Sequence, residues 1–291
     1  MTYDINAADI LATLIFLGVL GSSAYLWMQY IQRPPHHLIP DAGAPAWPIG
    51  WTNFGIFICA EVIVVGLVQF LGAILLRDTL ELSDGELTPW LAVAAVLLLQ
   101  LPLITVLYAL RRFFPGIFAS RMNTSSYSLG ATLRETTLLF LRYMPVIWII
   151  SFVWTQLLSL MHVIGFIDEF EPQALITLFQ SGGHPVAIGL LIIFAVILAP
   201  IVEELIFRGC IYRFLKSRMA FPAAQVISGS IFALMHANLL SFVPLVAVGI
   251  LLARIYEKAG NLIVAICFHA FFNGFSLMML YLASHSNVLA N

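Results

Sequence analysis

Apolar residues along this chain fall into long runs broken by short polar connectors. A helix needs about 20 apolar residues to cross a hydrocarbon core of about 30 Å, and the pattern predicts eight such spans. The first covers about Ala8 to Ile31, the second about Trp51 to Leu76, and the third starts after Pro89 and ends at Arg111-Arg112. The fourth occupies about Thr136 to Ile164, and the fifth starts near Pro185. The sixth begins at Pro222, the seventh covers about Phe242 to Tyr256, and the eighth about Leu262 to Leu282. A short apolar piece, Ala174 to Phe179, is suited to the membrane interface. The first run has no basic leading end and no small-residue cleavage site, so it reads as a true span and not as a signal peptide. The expected fold class is all-α: a polytopic integral membrane protein of about eight transmembrane helices.

Composition points the same way. Of 291 residues, 61% are hydrophobic and 10% charged, and the mean hydropathy is +0.99. A net charge of −2 gives no hold for a polyanion, so no nucleic-acid partner is expected. No polar stretch is long enough to form a soluble domain. Cys59, Cys210 and Cys267 lie in or beside apolar spans without paired spacing, which argues against a disulfide framework and a thiolate metal site.

Connector charge sets the orientation. The connector from Arg111 to Glu135 and the cluster Arg213-Lys216-Arg218 are basic, whereas Arg77 to Glu86 and Asp168 to Glu171 are acidic. Basic residues favour the cytoplasm, which puts the amino terminus outside, the fifth span running inward and Ser284 to Asn291 outside. The expected location is the cell membrane, with any site near the fifth span's basic end open to the cytoplasm.

Against this apolar background one stretch stands out. After the uncharged run Val186 to Leu198, the segment Ala199 to Gly209 places Glu203, Glu204 and Arg208 within six residues. Charges inside a spanning helix cost at least ~2.5–3.5 kcal/mol each on insertion scales and are rarely idle. Glu204 and Arg208 stand four apart in the favourable order for a helical ion pair. Glu203 points about 100° away from Glu204 and is left to face something else. Counting helical rise from the basic edge, Glu203, His236, His269 and Asn273 all come out at roughly 14–20 Å depth. Four polar groups on three spans can therefore form one site. Plainer readings exist for each: a packing histidine for His236, an interhelical hydrogen-bond clamp for His269 and Asn273, and a structural ion-pair network for Glu203, Glu204 and Arg208. Glu61, in the middle of the second span, reads as paired or lining a cavity. Arg142 can snorkel; Gln156 and His162 have no assigned role.

A carboxylate and an imidazole beside a water can act as its general base. A second imidazole and a carboxamide can donate to a developing oxyanion. Together these suit amide hydrolysis without a covalent intermediate. Metal ligation by Glu203, His236 and His269 is the other use; there is no HExxH motif, and spacing does not diagnose zinc.

The run Pro200 to Gly209 resembles the EExxxR motif of the CPBP intramembrane proteases, also called the ABI or CAAX amino-terminal protease family. Phe232-Ala233-Leu234-Met235-His236 resembles its FxxxH motif, and His269-Ala270-Phe271-Phe272-Asn273 its HxxxN motif, in the same order. Gly249 to Asn261 is also similar, and the likeness covers roughly Pro185 to Leu282. It implies two regions: residues 1–184, with about four spans and the interfacial segment, and residues 185–291, carrying the catalytic helices. It implies an intramembrane endopeptidase with its site inside the helix bundle, Glu203 and His236 activating water, and His269 with Asn273 binding the oxyanion. Glu204 and Arg208 would support the site. No cofactor is expected, with zinc as the alternative. The partners implied are membrane lipid and a membrane-associated protein or peptide substrate; the substrate and the oligomeric state stay open. A non-catalytic scaffold or bacteriocin-immunity-type protein would keep the same fold. A proton-coupled transporter is a third class, but the two halves carry no matching broken helices.

Overall fold

The computed structural model describes residues 6–32, 43–77, 87–168, 172–181 and 183–286. Most of the proline-rich connector after Arg33, the acidic stretch at 78–86, Glu169, Glu171 and the residues from 287 onward lie outside the described residues. Those described form helices and their connections, with no strand among them.

Helix α1 is Ala7–Gln32, α2 is Trp51–Leu75 and α3 is Pro89–Phe113. Thr88 starts α3 by accepting a hydrogen bond from the Leu91 N–H at 3.3 Å, with Pro89 in the first turn, where its missing N–H costs nothing. A single turn, α4 (Pro115–Phe118), follows. Helix α5 (Leu129–Val163) starts seven residues before the expected Thr136, because Ser128 caps it by accepting from the Ala131 N–H at 3.2 Å. The interfacial piece is α6 (Ala174–Ser181).

The fifth span is α7, one run from Pro185 to Lys216. It widens into π-helical turns at Phe194–Leu198 and again at Phe207–Tyr212, on either side of the regular segment Ala199–Ile206 that bears both glutamates. Helices α8 (Phe221–Leu234), α9 (Leu239–Ala259) and α10 (Leu262–Ser284) complete the described chain. Gly260, at φ 61°, ends α9 in the left-handed region glycine tolerates, and Asn261 starts α10 by accepting from the Ile263 N–H at 2.8 Å.

Among the described residues seven helices are long and apolar enough to span a membrane, which makes this an integral membrane protein. The sixth expected span, α8, is the one that falls short of this length. Helix α8 has 14 residues, which rise about 21 Å against a core of about 30 Å. It breaks at Met235 to Asn238, where Ala237 takes φ 47°, uncommon for a residue with a Cβ. The chain turns back there, and α8 and α9 form a tight antiparallel hairpin. A Cβ on Gly249 would meet the Gly229 Cα at 2.6 Å, and one on Gly229 would meet the Ile250 N at 2.8 Å. Backbones touch where both residues lack side chains, as in other membrane helix pairs.

The basic connectors share one end of the bundle. Arg213 donates to the Ser120 hydroxyl and to the Gly209 carbonyl at 3.1 Å, and Arg111 donates to the Ser120 carbonyl at 3.3 Å. Lys216 pairs with Glu257 at the end of α9. At the opposite end Asn6 donates to the His285 carbonyl at 2.7 Å, so α1 begins where α10 finishes. The core centres on Tyr212, Phe214, Phe232, Leu252, Tyr256 and Phe268, all fully buried. Apolar side chains elsewhere point outward, such as Ile63 and Leu75 on α2, as lipid contact requires. Of the three free cysteines, Cys210 is buried, but Cys59 is exposed on α2.

Candidate active site

The regular segment of α7 sends Glu203 and Glu204 in different directions, as a 100° step per residue demands. Glu204 turns into the protein and is fully buried with Arg208; their ion pair closes at 2.8 Å. Arg208 also donates to the Gly249 carbonyl at 3.0 Å and lies over the Phe232 ring, 4.6 Å from its centroid. The guanidinium is thereby tied to α9 by a hydrogen bond and to α8 by a cation–π contact. The carbonyl it uses belongs to the glycine at the hairpin's closest approach.

Glu203 remains partly exposed, with 17% of its side chain accessible. It faces a cavity of about 1070 Å³ walled mostly by apolar side chains of the spanning helices. His236, His269 and Asn273 line the same cavity. Two separate helices and the hairpin turn thus bring together the four residues that the pattern singled out.

Partner chemistry fixes which ring nitrogens carry hydrogen. The Nδ1 of His236 lies 2.9 Å from the Phe232 carbonyl, which can only accept, so Nδ1 donates and a neutral ring keeps Nε2 free to accept. The Nδ1 of His269 lies 3.0 Å from Glu204 Oε1, in a carboxylate already paired with Arg208. This nitrogen too is the donor. The Nε2 of His269 stands 3.9 Å from Glu203 Oε2, beyond hydrogen-bond range. His269 therefore bridges the two glutamates, a placement that the HxxxN spacing alone does not reveal. Asn273 donates one amide hydrogen to the Ala195 carbonyl at 2.8 Å, in the first π turn, and keeps its second.

Sequence reasoning missed Gln100. It lies on α3, is 4% exposed, and aims its Nε2 at Glu203 Oε1 from 3.5 Å. The signal was a lone carboxamide inside an apolar span, just before Pro102. Glu61 also lines the cavity, 5% exposed, and neither of its oxygens has a hydrogen-bond partner among the described residues. Among the described residues no group of three His, Cys, Asp or Glu side chains is placed to hold a metal ion.

The model of the "Type II CAAX prenyl endopeptidase Rce1-like" family matches residues 185–275, from the start of α7 to Phe275 in α10. The matched stretch holds Glu203, Glu204, Arg208, His236, His269 and Asn273, whereas Gln100 and Glu61 reach the cavity from outside it. The chain is also similar to the protein of Bacillus subtilis (strain 168) named "Putative membrane peptidase YdiL", 34% identical over 119 residues. That match covers 40% of this chain and 46% of the relative, so the chain spans about half the length of the curated relative it matches. No solved structure matches.

Proposed function

We propose that this protein is an intramembrane endopeptidase that hydrolyses a peptide bond of a membrane-associated protein or peptide. The observation that carries the proposal is the shared cavity: Glu203, His236, His269 and Asn273 all line it, and Glu203 is the only one of the two adjacent glutamates not tied up by Arg208.

In this reading the free Nε2 of His236 accepts a hydrogen bond from a water, and Glu203 takes that water's proton as its oxygen attacks the carbonyl carbon. Glu203 then returns the proton to the leaving nitrogen. The carbonyl oxygen becomes an oxyanion that needs donors, and the second amide hydrogen of Asn273 supplies one. His269 supplies the other from Nε2. Because its Nδ1 already donates to Glu204, a donating Nε2 requires the imidazolium. The two glutamates of α7 then balance one guanidinium and one imidazolium, as a low-dielectric environment favours. Each step uses only this chain's side chains and water.

The basic connectors support a cytoplasmic position for the end of the bundle at Arg213 and Lys216, with the site opening on that side of the cell membrane. The test is cleavage of a reporter-fused membrane peptide library by the wild-type protein and by Glu203→Ala. Products formed by the first and absent with the second support the reading; equal product from both rejects Glu203 as the base.

A further inference from the structure

Glu61 is the buried carboxyl group for which the reaction has no use. It is 5% exposed, both its oxygens lack hydrogen-bond partners, and it lines the same cavity as Glu203. Native proteins seldom leave such a group unmatched, and an ionisable residue within a span marks a functional position by default. Gln100 adds a third acceptor, since its Oε1 is also buried and unpartnered. The cavity wall has acceptors in excess and includes no lysine or arginine. Arg208, the nearest buried cation on α7, is committed to Glu204 and to Gly249.

The position of Glu61 along the bundle follows from one ring stack. Phe54 lies flat on Phe214, with centroids 3.7 Å apart and planes within 5°. Helix α2 climbs away from this contact while α7 descends to it. Glu61 is seven residues above Phe54, and Phe207 is seven above Phe214, so the two stand at about the same height, roughly 10 Å from the stack. Glu203 is one turn higher, about 6 Å further from the basic end. An extended peptide covers such a distance in about two residues.

We propose that Glu61 is the specificity-determining group of this cavity and receives a lysine or arginine side chain of the substrate, about two residues from the cleaved bond on its Arg213–Lys216 side. This deepens the endopeptidase reading and rests on it. A long basic side chain suits the site in both its parts. Its methylene stem matches the apolar wall, and its charged head brings the N–H donors that Glu61 and Gln100 lack. Apolar membrane segments commonly end in such residues on the cytoplasmic side. The substrate class is therefore an apolar segment with a basic residue at that end.

The test compares two synthetic peptides with the same apolar segment, one ending in lysine and the other with methionine in its place. Binding is measured in lipid nanodiscs to the full-length Glu203→Gln variant, which keeps the peptides intact, and to Glu203→Gln/Glu61→Gln. The expected result is tighter binding of the lysine peptide by about 30-fold or more when Glu61 is present, as for a desolvated charge pair. Near parity is expected in the double variant, with methionine-peptide binding unchanged, which also reports that the fold survives. Parity with Glu61 present overturns the proposal without any need for the second variant, and so does a lysine preference that persists without Glu61. Cleavage by the wild-type protein is scored separately. Glu203-dependent cleavage without lysine preference removes the subsite and leaves the endopeptidase; lysine preference in binding without cleavage does the reverse.

Discussion

Glu204 and His269 stand 65 residues apart in the chain and 3.0 Å apart in the fold. Through this contact one carboxylate orients both the guanidinium of its own helix and the imidazole of the last one. In the proposed mechanism Glu204 would organise the site and Glu203, its neighbour, would react. Exchanging each for glutamine separates the two roles. Glu203→Gln is expected to abolish turnover with little change in melting temperature. Glu204→Gln is expected to lower stability by about 3–5 kcal/mol, since Arg208 stays buried without its counter-charge. Thermal unfolding in one detergent, alongside peptide cleavage, checks both; equal melting of the two variants would show that the roles are misassigned.

Arg208 serves Glu204 and the Gly249 carbonyl from two nitrogens of one planar fork. Lysine keeps the charge but presents it as a point. Arg208→Lys is expected to lose one charge-assisted hydrogen bond, worth about 1.5–3 kcal/mol, and to cut activity even when Glu204 is intact. Circular-dichroism melts and cleavage rates for this variant provide the check.

Gly249→Ala puts a methyl 2.6 Å from the Gly229 Cα, where only backbone can give way. The α8–α9 hairpin must then splay, carrying the Arg208 acceptor and His236 with it. A loss of about 1–3 kcal/mol is expected, as for other overpacked contacts, together with a larger loss of cleavage. Gly66→Ala, a cavity-lining position whose added methyl meets nothing within 4 Å, serves as the control.

Active, purified protein is expected to contain no stoichiometric transition metal and to survive extended chelation. A Lewis-acid mechanism demands the opposite. Elemental analysis finding about one zinc per chain, lost in His236→Ala, would move Glu203, His236 and His269 into ligand roles.

Reporter fusions at Asn123 and Ser217 are expected to read cytoplasmic, and one at Gly165, beyond the far end of α5, external. A cytoplasmic Gly165 would place the site's opening on the other face of the membrane.

Much of this site was legible in the sequence because its parts are local. Glu204 and Arg208 sit at helical spacing, and His269 and Asn273 share a helix face, so their pairing within one element follows from pitch alone. What pitch does not carry is which helix stands opposite. The Glu204–His269 bond, the approach of Gln100 to Glu203 and the anchoring of Asn273 on Ala195 are all contacts between helices. The spans were legible from hydropathy, but the shortness of α8 was not. Only His236 and Asn238 interrupt the apolar run from Ile231 to Leu240, and the break at Ala237 is a backbone event with no proline or glycine to mark it. The two π turns of α7 are hidden for the same reason, being built from ordinary apolar residues.

Glu203 lies 13 residues above Lys216 on α7, roughly 20 Å from the basic end, and that depth bears on how such an enzyme would be measured. A bond that reaches this carboxylate is already dissolved in the bilayer, so protein and substrate meet in two dimensions. Their encounter rate follows the number of substrate molecules per unit of lipid area, not per litre. Adding empty lipid at constant bulk concentrations should slow cleavage in proportion, whereas adding buffer at a fixed lipid ratio should leave the rate per enzyme unchanged.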